Sequence, residues 1–301
     1  MMITKKISSI SRKILKQYFL WLPDKIYLSS LFRLSVGYKM DFKNPLTYNQ
    51  KLQWLKVYNR NPLYTQLVDK YEVKDFVIQK IGQQHVAKTI GVWDNVDQID
   101  FSTLPNQFVL KTTHGGGNTG VVICKDKSSF DIASAKKKLS LSMKQEIYRY
   151  NREWPYKNVR KRIIAEEYLE DKQTGELRDY KFFCFDGAVK AMFLATDRSS
   201  GNVKFDYFDE NFNHLEIVQQ HPMSGLDFKK PVSFDNMKSI AEKLSAGIPH
   251  VRVDLYEVNG EVYFGEFTFF HHGGLVPFHP ESWDFTWGDW ISLPNKTISD
   301  N

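Results

Sequence analysis

The dipeptide Asn259-Gly260 stands between two alternating runs, Val251-Arg252-Val253-Asp254-Leu255 upstream and Phe264-Gly265-Glu266-Phe267-Thr268 downstream. Asn-Gly accepts the consecutive positive-φ positions of a tight hairpin turn, and a period of two makes each flank a strand. The spacing predicts antiparallel strands over 251–258 and 261–268. A second hairpin is predicted over 179–185 and 189–194, around Asp186-Gly187. Strands joined by such short turns pair antiparallel, so a doubly wound parallel sheet is excluded and an α+β fold is expected.

Helices punctuate the rest. Thr47 with Gln50 three residues on is a capping box, which predicts a helix over 48–58 closed by Asn59-Arg60-Asn61-Pro62. Further helices are predicted over 64–81, 131–150 and 235–246, with strands over 87–92, 107–112, 121–124 and 163–169. In residues 1–22, Ile3, Ile7, Ile10, Ile14, Tyr18 and Trp21 recur at helical spacing among Lys5, Lys6, Arg12, Lys13 and Lys16. Two readings stand: peripheral contact with an anionic membrane surface, or a packing helix with a solvated basic face. No small-residue cleavage site follows, so no secretory leader is expected. No apolar run reaches the ~18 residues of a membrane span.

The net charge is +6, from 41 Lys and Arg against 35 Asp and Glu. That excess suits anionic partners such as nucleotide phosphates or acidic glycans but falls short of a nucleic-acid footprint, and no nucleic-acid partner is expected. Cys124 and Cys184 are too far apart for a ligand motif and lie in apolar runs. They are expected to be buried, reduced thiols of a cytoplasmic protein. Trp283, Trp287 and Trp290 cluster near the C-terminus. They are expected either to stack on a sugar or to pack in the core.

Three constellations carry chemistry. In the first, strand 107–112 delivers Lys111 into Gly115-Gly116-Gly117, with Asn118 following. Glycines let backbone N–H groups approach a phosphate, and the lysine adds a point charge. A plain flexible hairpin is the other reading, and no Walker motif is present. In the second, Arg252, Asp254, Glu266 and Thr268 alternate with apolar neighbours and share one face, with Asp254 and Glu266 facing across the turn. Oxygen donors of this kind suit Mg²⁺ bridging phosphates, and mid-strand Asp runs against strand propensity. A solvated face with Arg252 as counter-charge is the alternative. In the third, 163–169 carries Glu166-Glu167-Tyr168-Leu169 and is followed by Asp179 and Lys181. This segment could hold adenine by backbone and ribose by carboxylate, or be a core strand with charged ends. His271 and His272 lack a third ligand at a recognisable spacing, so zinc is not expected.

In this order, together with residues 44–56 and Asp69-Lys70-Tyr71, the motifs resemble the ATP-grasp superfamily, and within it the TupA-like branch linked to cell-surface polysaccharide synthesis. The resemblance runs from about residue 22 to 291. It implies an ATP-grasp fold of two α+β subdomains with a helical N-terminal extension. The expected division is 1–62 for the extension, 63–105 for a linking part, 106–170 for the subdomain with the glycine-rich loop and 171–301 for that with the metal hairpin. It implies that Lys70 and Lys111 hold ATP phosphates under the Gly115–Gly117 loop. Glu166, Glu167, Tyr168 and Leu169 would form the adenine hinge, and Asp179 would accept from the ribose. Asp254, Glu266 and Thr268 would ligate Mg²⁺, with Thr268 where the wider superfamily has Asn. Arg252, with Lys181, would be catalytic. The implied activity is an ADP-forming carboxylate–amine ligase, joining an amino acid and an acidic or amino sugar, in the cytoplasm or at the inner face of the membrane. The alternatives are a glycosyltransferase, which usually shows an Asp-x-Asp that this chain lacks, and a non-catalytic nucleotide-binding scaffold.

Overall fold

The computed structural model describes residues 2–117, 119–172, 177–197 and 201–298, with side chains in the first helix from residue 8 onward. Asn118 of the expected phosphate loop, and the side chains of Ile3, Lys5, Lys6 and Ile7, lie outside the described residues.

The elements run α1 (Met2–Tyr18), α2 (Asp24–Val36), α3 (Tyr48–Tyr58), α4 (Leu63–Val68), α5 (Val73–Ile81), β1 (Thr89–Trp93), β2 (Phe108–Thr112), β3 (Val121–Cys124), α6 (Ile132–Met143), α7 (Ile147–Asn151), β4 (Ile163–Glu167), β5 (Arg178–Phe185), β6 (Ala188–Thr196), β7 (Lys204–Asp209), β8 (His214–Leu215), α8 (Phe234–Ser245), β9 (His250–Val258), β10 (Glu261–Thr268) and α9 (Ser282–Trp290). Among the described residues the strands form two antiparallel sheets, ordered β1-β4-β2-β3 and β10-β9-β5-β6-β7-β8. The fold is α+β. Both predicted hairpin turns form, with positive φ at Asp186 and Gly187 and at Asn259 and Gly260. The capping box at Thr47 and Gln50 also forms.

Alternation along β5 gives the larger sheet its two faces. The Phe182 ring centroid lies 5.8 Å from that of Phe234 on α8, and Cys184 Sγ donates to Ala241 O at 3.7 Å, so this side packs under α8. Lys181 and Phe183 point the other way, where Phe183 meets Trp287 of α9 at 4.6 Å. The larger core joins this sheet to α2, α3, α8 and α9. A separate, smaller core lies on the four-stranded sheet, where Phe108, Leu110, Ile163 and Ala165 meet Leu139 of α6.

α9 lies against the start of α3 because Gly288 has no side chain: a Cβ there would stand 2.2 Å from Leu46 O. The buried Asp284 carboxylate secures the contact, accepting from Asn49 N–H, Asn49 Nδ2 and Tyr38 OH, each at 2.9 Å. Trp287 is fully buried and Trp290 stacks on it at 5.8 Å, while Trp283 packs on the same core. The tryptophan cluster therefore serves packing.

The sequence predicts one helix over 64–81, but the chain forms two. Asp69 Oδ1 accepts the N–H groups of Tyr71 and Glu72 at 2.8 and 3.1 Å, and Lys70 N–H donates to Thr113 O at 3.0 Å, so the helical ladder is interrupted. The helix predicted over 131–150 likewise breaks between α6 and α7. The stripe of α1 turns out reversed: Leu15 is buried while Ile10, Ile14 and Tyr18 are exposed. Both cysteines are free and buried, and burial pushes the Cys184 thiol up to about 12. Among the described residues no helix is long and apolar enough to cross a membrane.

Candidate active site

On the smaller sheet, Val109 pairs with Glu166 and Lys111 with Ile164, so Lys111 and Glu166 are diagonal neighbours on one face. Lys111 Nζ lies 2.6 Å from one Glu166 oxygen, and Lys74 Nζ of α5 lies 2.5 Å from the other. Lys74 also donates to Ala87 O at 2.7 Å and Thr89 Oγ1 at 3.0 Å. Glu166 is only 5% exposed. Burial alone would raise its carboxyl pKa; the two ammonium groups outweigh that and hold it below the usual value. The Glu166 side chain is thus committed to two lysines. Glu167 Oε1 accepts Lys88 N–H at 2.7 Å, and Tyr168 OH donates to Glu170 at 2.8 Å, which leaves Leu169 half-buried at the end of the segment.

Lys70 sits in the break between α4 and α5. Its backbone N–H is held by Thr113 O at the root of the glycine loop, and its Nζ donates to Glu266 Oε2 on β10 at 3.0 Å. The buried Arg162 fixes this corner, donating to Asp69 at 2.9 Å and Glu72 at 2.6 Å. The loop itself is closed by Thr112 N–H donating to Gly120 O at 3.0 Å. A Cβ on Gly120 would fall 2.1 Å from Thr112 Oγ1, whereas Gly116 and Gly117 face open space, the latter with φ +62. The loop tip is therefore bare backbone, the form an anion-binding turn requires. His114 is turned inward, with Nε2 on Ser142 O at 3.2 Å, so it is packed rather than aimed at the loop.

The larger sheet contributes a row across three strands. Lys181 pairs with Asp254, and Asp254 with Glu266; in the next row Phe183 pairs with Arg252, and Arg252 with Thr268. A shift in β10 makes this possible. From Glu261 to Phe264 the hairpin is regular, which would set Gly265 opposite Asp254 and turn Glu266 to the other face. A bulge at Gly265 advances the register by one, so Glu266 comes opposite Asp254.

The carboxylates are held apart by cations. Lys181 bonds Asp254 and lies 2.5 Å from Asp179, and Arg252 donates to Asp254 at 2.6 and 2.7 Å and to Thr268 Oγ1 at 2.9 Å. Glu266 is pushed up by burial but pulled down further by Lys70, Lys181 and Arg252, and it ends below the usual carboxylate range. Together Lys70, Lys74, Lys111, Lys181 and Arg252 face Glu166, Asp179, Asp254 and Glu266, five cations against four carboxylates.

Among the described residues no three or more His, Cys, Asp and Glu side chains gather into a metal cage. Asp254 and Glu266 are paired across the strands with Thr268 one row on, a set of oxygen donors of the kind that holds Mg²⁺ together with substrate phosphates, and here Arg252 and Lys181 occupy the Asp254 oxygens.

Arg252 Nη1 also donates to His271 Nδ1 at 2.8 Å. A guanidinium only donates, so Nδ1 is the acceptor and the proton sits on Nε2. Burial, and then the neighbouring His272, keep His271 neutral. The turn that carries it has positive φ at His272, Gly273 and Gly274. Its carbonyls are gripped from α3: Gln53 Nε2 donates to Gly273 O and Gly274 O at 2.9 and 2.8 Å, and the buried Lys56 donates to Gly273 O at 2.7 Å. Sequence reading missed Lys74, Arg162, Gln53 and Lys56 as parts of the site.

A profile of the family described as TupA-like ATPgrasp matches residues 50–292. No curated protein sequence matches. Among solved structures, D-alanine–D-alanine ligase from Helicobacter pylori is similar at 14% identity, TM-score 0.45, over 82% of this chain and 69% of that one. The corresponding ligase from Bacillus anthracis is similar at 14% identity, TM-score 0.40, over 73% and 58%. ATP-grasp ligase PsnB complexed with minimal precursor, Mg and ADP is similar at 12% identity, TM-score 0.39, over 73% and 57%. The chain thus spans 58% and 57% of the lengths of the last two.

Proposed function

The chain belongs to the TupA-like ATP-grasp family, and from that premise we propose that it is an ATP- and Mg²⁺-dependent, ADP-forming carboxylate–amine ligase that joins an amino acid to a sugar of a cell-surface polysaccharide or its precursor in the cytoplasm. In the same proposal, 106–170 and 171–301 are the two halves that grip ATP. The observation that carries the reading is Lys70: its backbone is tied to the root of the glycine loop and its side chain to Glu266, so loop and carboxylate hairpin face each other.

In this reading Lys70 and Lys111 take phosphate oxygens under Gly115–Gly117, the chain at Tyr168 and Leu169 meets adenine, and Asp179 takes the ribose. Asp254, Glu266 and Thr268 would hold Mg²⁺, which neutralises phosphate charge when bound. An oxygen of the substrate carboxylate attacks the γ-phosphorus, the bond to the β-phosphate oxygen breaks, and its electrons leave on ADP. The amine nitrogen then attacks the acyl carbon, phosphate departs, and the nitrogen loses a proton. Arg252 and Lys181, both buried and fixed by Asp254, stabilise charge that develops on the transferring oxygens. The sugar partner rests on the family's link to cell-surface polysaccharide.

The test supplies ATP and Mg²⁺ with panels of amino acids and uronic or amino sugars and scores ADP against AMP. Asp254→Asn and Glu266→Gln remove charge at nearly constant volume and should each lower ADP release by ~10²-fold or more, about 2.7 kcal/mol of barrier. AMP as product, full activity in both variants, or untouched ATP across the panels contradicts the reading.

A further inference from the structure

One side of α1 seats the helix. Leu15 is buried in the larger core, Ser8 Oγ donates to Leu34 O of α2, and Lys16 Nζ donates to Asn151 Oδ1 at 3.0 Å. Arg152 fixes the following turn, donating to Leu20 O and Leu22 O at 2.5 and 3.4 Å. The outward side is apolar. Ile10, Ile14 and Tyr18, at successive four-residue steps, are 50%, 45% and 62% exposed, and Trp21 just beyond is 74% exposed. An anchored helix thus presents a stripe that the fold does not cover.

Charge says what fits it. Residues 1–36 hold seven Lys and Arg and one acidic residue, Asp24. The other 265 residues hold 34 of each sign, so the whole net charge of +6 lies on the first two helices. Asp24 is itself neutralised by Arg60 at 2.8 Å and Arg152 at 3.0 Å. A protein partner could cover the stripe but would leave that segregation of charge unexplained.

We propose that α1 docks this protein on the surface of a bilayer rich in anionic lipid, with Ile10, Ile14, Tyr18 and Trp21 entering the interface and the exposed Lys13 on the flank of the stripe meeting headgroups. Amphipathic basic helices lie in the interface in this way, and Trp and Tyr favour headgroup depth. Each basic residue near such a surface adds on the order of fivefold to partitioning. The proposal is independent of the ligase reading and stands or falls without it.

The test sediments the full chain with phosphatidylcholine vesicles, alone or with about a third phosphatidylglycerol. The protein should pellet with the anionic vesicles only, less so at raised salt. Ile14→Asp with Trp21→Ser should lower partitioning by at least about tenfold at unchanged melting temperature, and Trp21→Ser alone should lower it in the same direction. Failure to pellet, equal pelleting of variants and parent, or self-association that the variants abolish while no form binds vesicles overturns the proposal.

Discussion

Two ammonium groups share the buried carboxylate of Glu166, Lys74 at 2.5 Å and Lys111 at 2.6 Å. Removing the negative charge leaves both cations facing an amide, so Glu166→Gln should cost about 3 kcal/mol in denaturant unfolding. The sign of the pH effect follows from the lowered carboxyl pKa. The native state holds the charged form more tightly than the unfolded chain does, so this stabilisation is complete above the unfolded value near ~4.3 and fades as pH falls through the lower native value. Between those values the parent should lose stability more steeply with acid than Glu166→Gln; parallel curves would contradict the pairing. Residue types were readable before the geometry was. Arg252, Asp254 and Glu266 announce themselves because charge in a strand contradicts its propensity, and Thr268 is marked only by sharing their face. Lys74 does not, since a lysine on a helix is ordinary until Glu166 is brought to it from ninety-two residues further on.

The bulge at Gly265 decides which way Glu266 points. A Cβ at Gly265 would stand 2.9 Å from Asp254 O and 3.1 Å from the Tyr256 ring, so Gly265→Ala must shift one strand against the other. Turnover should fall about tenfold or more, ~1.4 kcal/mol of barrier. Circular dichroism should keep the parent's spectrum, because the hairpin's turn and its outer pairs are untouched. Parent-like turnover would show that register is not what sets Glu266. The hairpins were legible because Asn259-Gly260 and Asp186-Gly187 act locally, within the turn itself. The bulge was not, since a lone glycine in a strand pattern fixes no register. The break that sets Lys70 was hidden for a related reason. Asp69 reads as a helix residue until Arg162 and Thr113, both distant in sequence, claim its neighbourhood.

At the scale of the molecule, two separate cores carry the two sheets, and Lys70 with its neighbours spans between them. α3 also reaches the site, since Gln53 and Lys56 hold the turn that sets His271 on Arg252. α1 adds Leu15 to the larger core but carries none of the site residues. A chain lacking residues 1–17 keeps the carbonyls of Leu20 and Leu22 for Arg152. It should hold turnover within about twofold of the full chain, ~0.4 kcal/mol of barrier. A folded but inactive truncated chain would make α1 part of the catalytic unit. The α+β class and the order of the motifs could be read from the sequence, but the meeting of the sheets could not, because it depends on contacts with no local signature. In the proposed reaction phosphorus is transferred to a carboxylate. The direct measurement uses an acceptor whose carboxylate carries heavy oxygen and follows that label by phosphorus NMR. The expected result is one heavy oxygen in inorganic phosphate, released with ADP in step with amide formation. Heavy oxygen in AMP, or phosphate without label, would contradict it.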